Sequence, residues 1–224
     1  MTLHEFPDVV QGSPEWHDQR RGIVTASVVG QLVTAKTIAP ADNDYSRGLT
    51  TLLAAERITG YTEPTFMNND MFRGVMDEPI ARDLYSKHFA EARETGFMVR
   101  KEAWGTLGFS PDGMVGDDGL IEIKSRRQKK HLQTILANAV PVENLAQCQA
   151  GLLVSGRKWL DYVSYCGGMP LFVKRVEPDP KWFKAIAAAV ALFEKNAEAM
   201  VNDYLSRVEG MPETERQVEL EMTL

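Results

Sequence analysis

Hydrophobic and polar positions along this chain change period several times, and each change marks an element. After an N-terminal loop through Trp16, Ile23-Val24-Thr25-Ala26-Ser27 opens the first apolar run, and Thr25 as a cap predicts a helix to about Val33. Residues 39–46 read as a loop. Leu49, Leu52, Leu53 and Ile58 then recur at helical spacing and stop at Gly60, which predicts a second helix. A helical region follows from about Asn69 to Ala90, with Pro79 either kinking or restarting it. The period then drops to two, and strands are expected near 94–99, 107–109 and 120–124.

Past a basic stretch, a helix is predicted over 143–154, ended by Gly156, then alternating strands over 159–165 and 171–176. Asp179-Pro180 starts a long amphipathic helix whose core stripe reads Phe183, Ile186, Val190, Phe193, Ala197, Met200, Val201 and Tyr204. The span 208–224, acidic from Glu209, reads as a frayed tail. Helices, a mixed central β-sheet and further helices predict one α/β domain over residues 1–224.

One strand carries more than packing. Ser110-Pro111-Asp112-Gly113 is followed by Gly119-Leu120-Ile121-Glu122-Ile123-Lys124. A period of two sends Glu122 and Lys124 to one face and Ile121 and Ile123 to the other. Asp117-Asp118-Gly119 is a hairpin-type turn that folds this strand back beside Asp112. Two acids and one amine therefore converge, as hard oxygen ligands for Mg²⁺ and a cation near an attacking water would in a phosphodiesterase. Asp117 and Asp118 lie close enough in sequence to compete as ligands. A glutamate two residues before a lysine is by itself common on half-exposed strand edges. Pro111-Asp112 at the proper distance on a hairpin is what separates this pattern from that one.

The composition, 44% hydrophobic and 25% charged, is that of an ordinary globular protein. The alanine-rich run near 186–193 is too short for a membrane span, so no membrane role is expected. Cys148 and Cys166 have neither framework nor metal spacing, which suits a reducing cytosol. A net charge of −6 runs against nucleic-acid binding over the whole surface, but phosphate needs only a local positive field. Lys124, Arg126, Arg127, Lys129, Lys130 and His131 form such a cluster, with a solvated loop or helix start as the plainer alternative.

Three further groups matter. Gly74, Glu78, Pro79 and Arg82 lie on the helical region before the hairpin. Gly74 allows close approach of another element and Glu78 offers a third carboxylate, while Glu78 and Arg82, spaced i, i+4, also suit a helical ion pair. Arg20, Thr25 and Ser27, at an expected helix N-terminus, suit a monophosphate. His17 has no second histidine at metal spacing and reads as a histidine satisfied by a protein partner. Gln147 and Gln149 flank Cys148, and either one facing the cleft can hydrogen-bond a phosphate or a water.

Taken in order, WHDQRRGIVTAS, RGVMDEPIARDLY, GFSPDG with GLIEIKS, AQCQAGLLVS and WLDYVSY resemble the phage lambda-type (YqaJ-like) alkaline exonucleases of the PD-(D/E)xK superfamily. Each block is weak alone; the ordered set, from Trp16 to Tyr165, is specific. The resemblance implies a restriction-endonuclease-like core, with Asp112 and Glu122 as the principal Mg²⁺ ligands (Mn²⁺ as a substitute) and the Ile123 carbonyl joining them. It places Glu78 where the metal site is supplied or supported, Lys124 beside the attacking water and Gln147 next to it. Arg20, Ser27 and Ser110 match a pocket for a 5′-phosphate.

The family digests linear double-stranded DNA 5′ to 3′ into mononucleotides, leaving a 3′ overhang for a phage single-strand annealing protein. A ring-shaped homotrimer, phage or prophage encoded and working in the cytoplasm of a bacterial host, is also implied. A sequence-selective endonuclease on the same fold, and a non-catalytic DNA-end or annealase-binding module, are the alternatives. Intact Asp112, Glu122 and Lys124 argue against the module.

Overall fold

Apolar runs broken by turn residues fold here as helices laid against two small mixed sheets. The computed structural model describes residues 2–64 and 66–216. In chain order the elements are β1 (Thr2–Phe6), α1 (Pro14–Arg20), β2 (Val24–Thr25), β3 (Val33–Thr34), β4 (Ala39–Pro40), α2 (Asp44–Thr59), α3 (Asn69–His88) and β5 (Ala92–Arg93). Next come β6 (Phe97–Glu102), β7 (Gly105–Phe109), β8 (Gly113–Val115), β9 (Gly119–Ser125), α4 (Gln128–Ala137), α5 (Val142–Ser155), β10 (Trp159–Tyr165), β11 (Phe172–Val176) and α6 (Pro180–Arg207).

One sheet has the order β11-β10-β9-β8-β5, with β9 and β10 parallel and its other neighbours antiparallel. The second has the order β1-β6-β7-β2, with β2 and β7 parallel. Parallel neighbours need a long crossover, and α4 and α5 provide it between β9 and β10.

The burial of β9 follows from what covers it. Ile121 and Ile123 pack under α3 with Ala81, Tyr85, Val115 and Val163, each burial contributing about 1.5–3 kcal/mol. The opposite face of β9 meets α5, which buries Ala146, Cys148, Ala150, Leu152 and Val154. Gly151 lets α5 approach β7 closely, since a Cβ there would sit 2.7 Å from the Phe109 ring. With cover on both faces, an acidic side chain on β9 is carried into the interior.

Several expectations need correction. No α-helix runs from Thr25 to Val33. Val24 and Thr25 instead pair with Leu107 and Gly108 of β7, a 3-10 turn spans Val29–Gln31, and Val33 begins a strand. β-Branched Val24 and Thr25 favour the extended pairing, and Val28, Val29 and Gly30 are poor formers of a longer α-helix. The strand expected at 94–99 lies at Phe97–Glu102. Pro79 does not restart a helix, since α3 is continuous through it; it lies on the exposed side, where water can take the carbonyl that loses its intrahelical donor. The buried stripe of α6 is Trp182, Ala185, Ile186, Ala189, Val190, Phe193 and Ala197, while Met200 and Tyr204 are exposed. The basic stretch runs from Lys124 on β9 through Arg126 and Arg127 into the first turns of α4, which carry Lys129, Lys130 and His131, so the helix-start reading holds for its second half. Residues 208–216 of the expected tail have neither helix nor strand; residues 217–224 lie outside the described part.

Candidate active site

The hairpin forms as its turn chemistry requires. β8 and β9 pair antiparallel with Gly113 opposite Ile121, which sets Asp112, just before β8, beside the middle of β9. The buried Asp112 carboxylate accepts the Ile123 N–H at Oδ2, 2.6 Å. Glu122 is 1% exposed, and its Oε1 receives the Lys124 ammonium at 2.6 Å and the Gln147 amide at 2.5 Å. Its Oε2 is buried with no partner among the described residues. Gln149 faces elsewhere, donating to the Glu177 carbonyl and accepting the Asp179 N–H. Asp118 sits at the hairpin tip, paired with Lys158 at 2.9 Å, and the neighbouring Asp117 is exposed there.

The charges are strongly coupled. Burial, then Glu122 and Glu78, push Asp112 well above the usual carboxylate range. For Lys124, burial opposes the ammonium, yet Glu122 and Asp112 outweigh it and hold its pKa above the ordinary lysine value. Burial, then Glu122, also pushes the Cys148 thiol up. Two carboxylates facing one ammonium crowd negative charge into a largely buried site.

On the α3 side, Arg82 donates to the Asp112 carbonyl at 2.7 Å, to Glu78 at 2.5 Å and to Glu94 at 3.1 Å. The i, i+4 ion pair therefore forms, and it forms against the segment that carries Asp112. Burial raises the Glu78 carboxyl, and Arg82 only partly offsets it. Gly74 gives no close approach: a Cβ there would meet nothing within 4 Å among the described residues. Among the described residues no three His, Cys, Asp or Glu side chains make a ready ligand set. Asp112 and Glu122 with the Ile123 carbonyl nevertheless fit Mg²⁺, which commonly takes one or two carboxylates and fills its shell with water and substrate oxygens. The orphaned Glu122 Oε2 is the observation behind that fit.

A second cluster adjoins the first. The Arg20 guanidinium stacks on Trp16, 3.9 Å from the ring centroid, and reaches Thr25 Oγ1 and Ser27 Oγ, each at 3.4 Å. Those two hydroxyls are 3.0 Å apart. No carboxylate bonds Arg20 among the described residues, and burial lowers its pKa to about 10 despite nearby Glu56. The Trp16 indole N–H donates to Ser110 Oγ at 3.2 Å, and Ser110 donates its own proton to the Gly96 carbonyl at 3.1 Å. Ser110 thus braces the wall between this cluster and Asp112. His17 is exposed and meets the Trp16 ring edge-on, and its side chain has no polar partner among the described residues.

The sequence profile of the YqaJ-like viral recombinase domain matches residues 15–158, more than half the chain, and spans both clusters. The chain belongs to this family. It is similar to an alkaline exonuclease, LHK-Exo from Laribacter hongkongensis, at 33% identity and TM-score 0.77, over 88% of this chain and 98% of that one. LHK-Exo has also been solved in complex with dAMP. A phage-related exonuclease from Haemophilus somnus 129PT shares the fold at 12% identity and TM-score 0.65, over 81% of this chain and 96% of that one. No curated protein matches the chain. This YqaJ-like protein has a restriction-endonuclease-like α/β core and is an alkaline-exonuclease-like nuclease.

The basic cluster of this YqaJ-like chain is less uniform than its sequence. His131 is fully buried, with Nδ1 at 2.8 Å from Ser164 Oγ and Nε2 at 2.9 Å from the Pro170 carbonyl, so it braces α4 and faces no ligand. Lys130 pairs with Glu143, and Arg127 with Asp70 at 2.7 Å. Sequence reasoning missed Trp16 as the platform under Arg20, and it missed Asn144 and Tyr162, which hold Arg126. The alternation that paired Glu122 with Lys124, carried two residues further, reaches Arg126.

Proposed function

We propose that this YqaJ-like protein, acting as one catalytic domain, is a Mg²⁺-dependent 5′–3′ exonuclease on linear double-stranded DNA. It releases 5′-mononucleotides and leaves a 3′ single-stranded overhang for a phage-type annealing protein. The observation that carries this reading is the meeting of Asp112, Glu122 and Lys124, with one Glu122 oxygen unclaimed and with Arg20 nearby making no ion pair among the described residues.

Mg²⁺, with Mn²⁺ as a substitute, would be held by Asp112, Glu122 and the Ile123 carbonyl, with Glu78 supporting from α3. Once bound, it supplies charge neutralisation to the phosphate and acidifies a coordinated water. The chain's own residues do the remaining work. Lys124 sets a positive charge beside the scissile phosphate and orients the nucleophile. Gln147 fixes the Glu122 carboxylate through Oε1 and so keeps Oε2 directed at the site. Arg20, with Thr25 and Ser27, receives the terminal 5′-phosphate and sets the register, so that one nucleotide is removed at a time. Ser110 holds this pocket against the hairpin. The dAMP complex of LHK-Exo supports a deoxynucleoside monophosphate product. Phe72, Val75, Met76 and Ile80 form an exposed apolar stripe on α3 that supports a homotrimeric ring. Among the described residues no helix is long and apolar enough to cross a membrane. A phage- or prophage-encoded enzyme in the cytoplasm of a bacterial host suits this reading.

The test uses linear duplex DNA labelled at its 5′ or 3′ terminus, beside a relaxed circle, with Mg²⁺ or chelator. Mononucleotide release from 5′ ends only, with circles spared and digestion lost in chelator, is expected. Cutting of circles, digestion from 3′ ends, or activity in chelator overturns the reading.

A further inference from the structure

Arg126 stands apart within the basic cluster. It follows Glu122 and Lys124 on the same face, one alternation further along the chain. Its Nη2 donates to Asn144 Oδ1 at 2.5 Å and to Tyr162 Oη at 3.2 Å, both neutral groups. Tyr162 is fully buried and lies opposite Glu122 in the parallel β9–β10 register, and Asn144 lies one helical turn before Gln147 on α5. The Nε of Arg126 is buried without a partner, and its Nη1 makes no hydrogen bond among the described residues. No carboxylate pairs with it there; Glu143, whose ionisation it favours, is bonded to Lys130.

A guanidinium fixed by neutral partners keeps its full charge and spare donors for an anion. Its position says which anion. The Arg20 cluster reaches the hairpin through Ser110, on the β8 side of β9. Arg126 is held by Tyr162, on the β10 side. A strand with its 5′-phosphate at Arg20 and its first internucleotide phosphate at Lys124 therefore continues toward Arg126.

Building on the exonuclease reading, we propose that Arg126 binds the second internucleotide phosphate of the digested strand, the linkage immediately 3′ of the scissile one. Arg20 and Arg126 then grip the strand on either side of the hydrolysed bond. A contact of this kind is made equally before and during the reaction, so it acts on KM rather than kcat.

The experiment measures release of the first nucleotide from 5′-phosphorylated linear duplexes in Mg²⁺. Single neutral methylphosphonates replace the second, third or fourth linkage of the digested strand. With wild-type protein, neutralising the second linkage raises KM about tenfold, and the other positions have little effect. Arg126→Gln raises KM about tenfold on unmodified DNA, lowers the slope of log KM against log salt by about one, and is indifferent to the methylphosphonate at the second linkage. Arg126→Lys, which keeps the charge, keeps part of the sensitivity. Wild-type protein indifferent to the second linkage, sensitivity confined to another position, or Arg126→Gln as sensitive as wild type overturns the assignment. The wild-type arm decides the matter even if Arg126→Gln fails to fold. A wild-type protein that leaves unmodified linear duplex undigested strikes the exonuclease reading instead.

Discussion

Asp112 sits in surroundings that disfavour its charged form. Buried among Glu122 and Glu78, it has a raised folded-state pKa, so its contribution to stability is fully present below the unfolded value of about 3.9 and is lost as pH rises through the folded value. Lys124, also raised, contributes below its unfolded value of about 10.4 and loses that contribution only as pH rises through its folded value, so it does not offset the acid between these limits. In chelator the wild-type protein should therefore lose thermal stability, relative to Asp112→Asn, as pH rises from about 4 into the neutral range, and Mg²⁺ should restore it. Asp112→Asn should melt higher than wild type in chelator at neutral pH while losing on the order of a hundredfold or more in activity. A variant that melts lower with the same pH dependence removes the excess-charge account. The acid pair and the lysine were legible because alternation and a hairpin turn determine where they point. Gln147 and Gln149 were not separable, since two helix positions so close differ only in what the helix packs against. Arg126 was visible as a charge and invisible as an unpaired one, because pairing depends on Glu143 and Asn144 of α5 and Tyr162 of β10.

Among the elements, the long periodic ones were readable: α2 with Gly60, α5 with Gly156, and β9 and β10. The segment from Val24 to Val33 was not, because Val24 and Thr25 are claimed by β7, a partner distant in sequence, and Val33 by β4. In α4 the apolar face is interrupted by charge, and its burial rests on His131 and Thr134. The contact that seats α5, and with it Gln147, is Gly151 against Phe109. Gly151→Ala should cost about 1–3 kcal/mol through overpacking, seen as a lower denaturation midpoint with an unchanged slope. An unaltered midpoint would mean that the helix does not depend on this approach.

Across the whole molecule, a net charge of −6 coexists with a DNA substrate because two partly buried guanidiniums near the hairpin, Arg20 and Arg126, make no ion pair among the described residues. Arg20 and Arg126 flank the hairpin, whereas Lys130, Lys158 and Arg175 are matched by acids. Fold class and the order of the blocks were open to sequence reasoning; the division of the larger strands into two mixed sheets, beside the small β3–β4 pair, was not, since it depends on long-range pairing of β1 and β2. The account as a whole depends on the β8–β9 hairpin being where phosphodiesters are cut. The most direct measurement is single-turnover digestion of 5′-phosphorylated linear duplex by Lys124→Ala in saturating Mg²⁺, with DNA binding and thermal melting measured on the same sample. The account predicts a fall on the order of a hundredfold or more in rate, with DNA still bound and the fold intact. A folded variant that digests within a few-fold of the wild-type rate would contradict it.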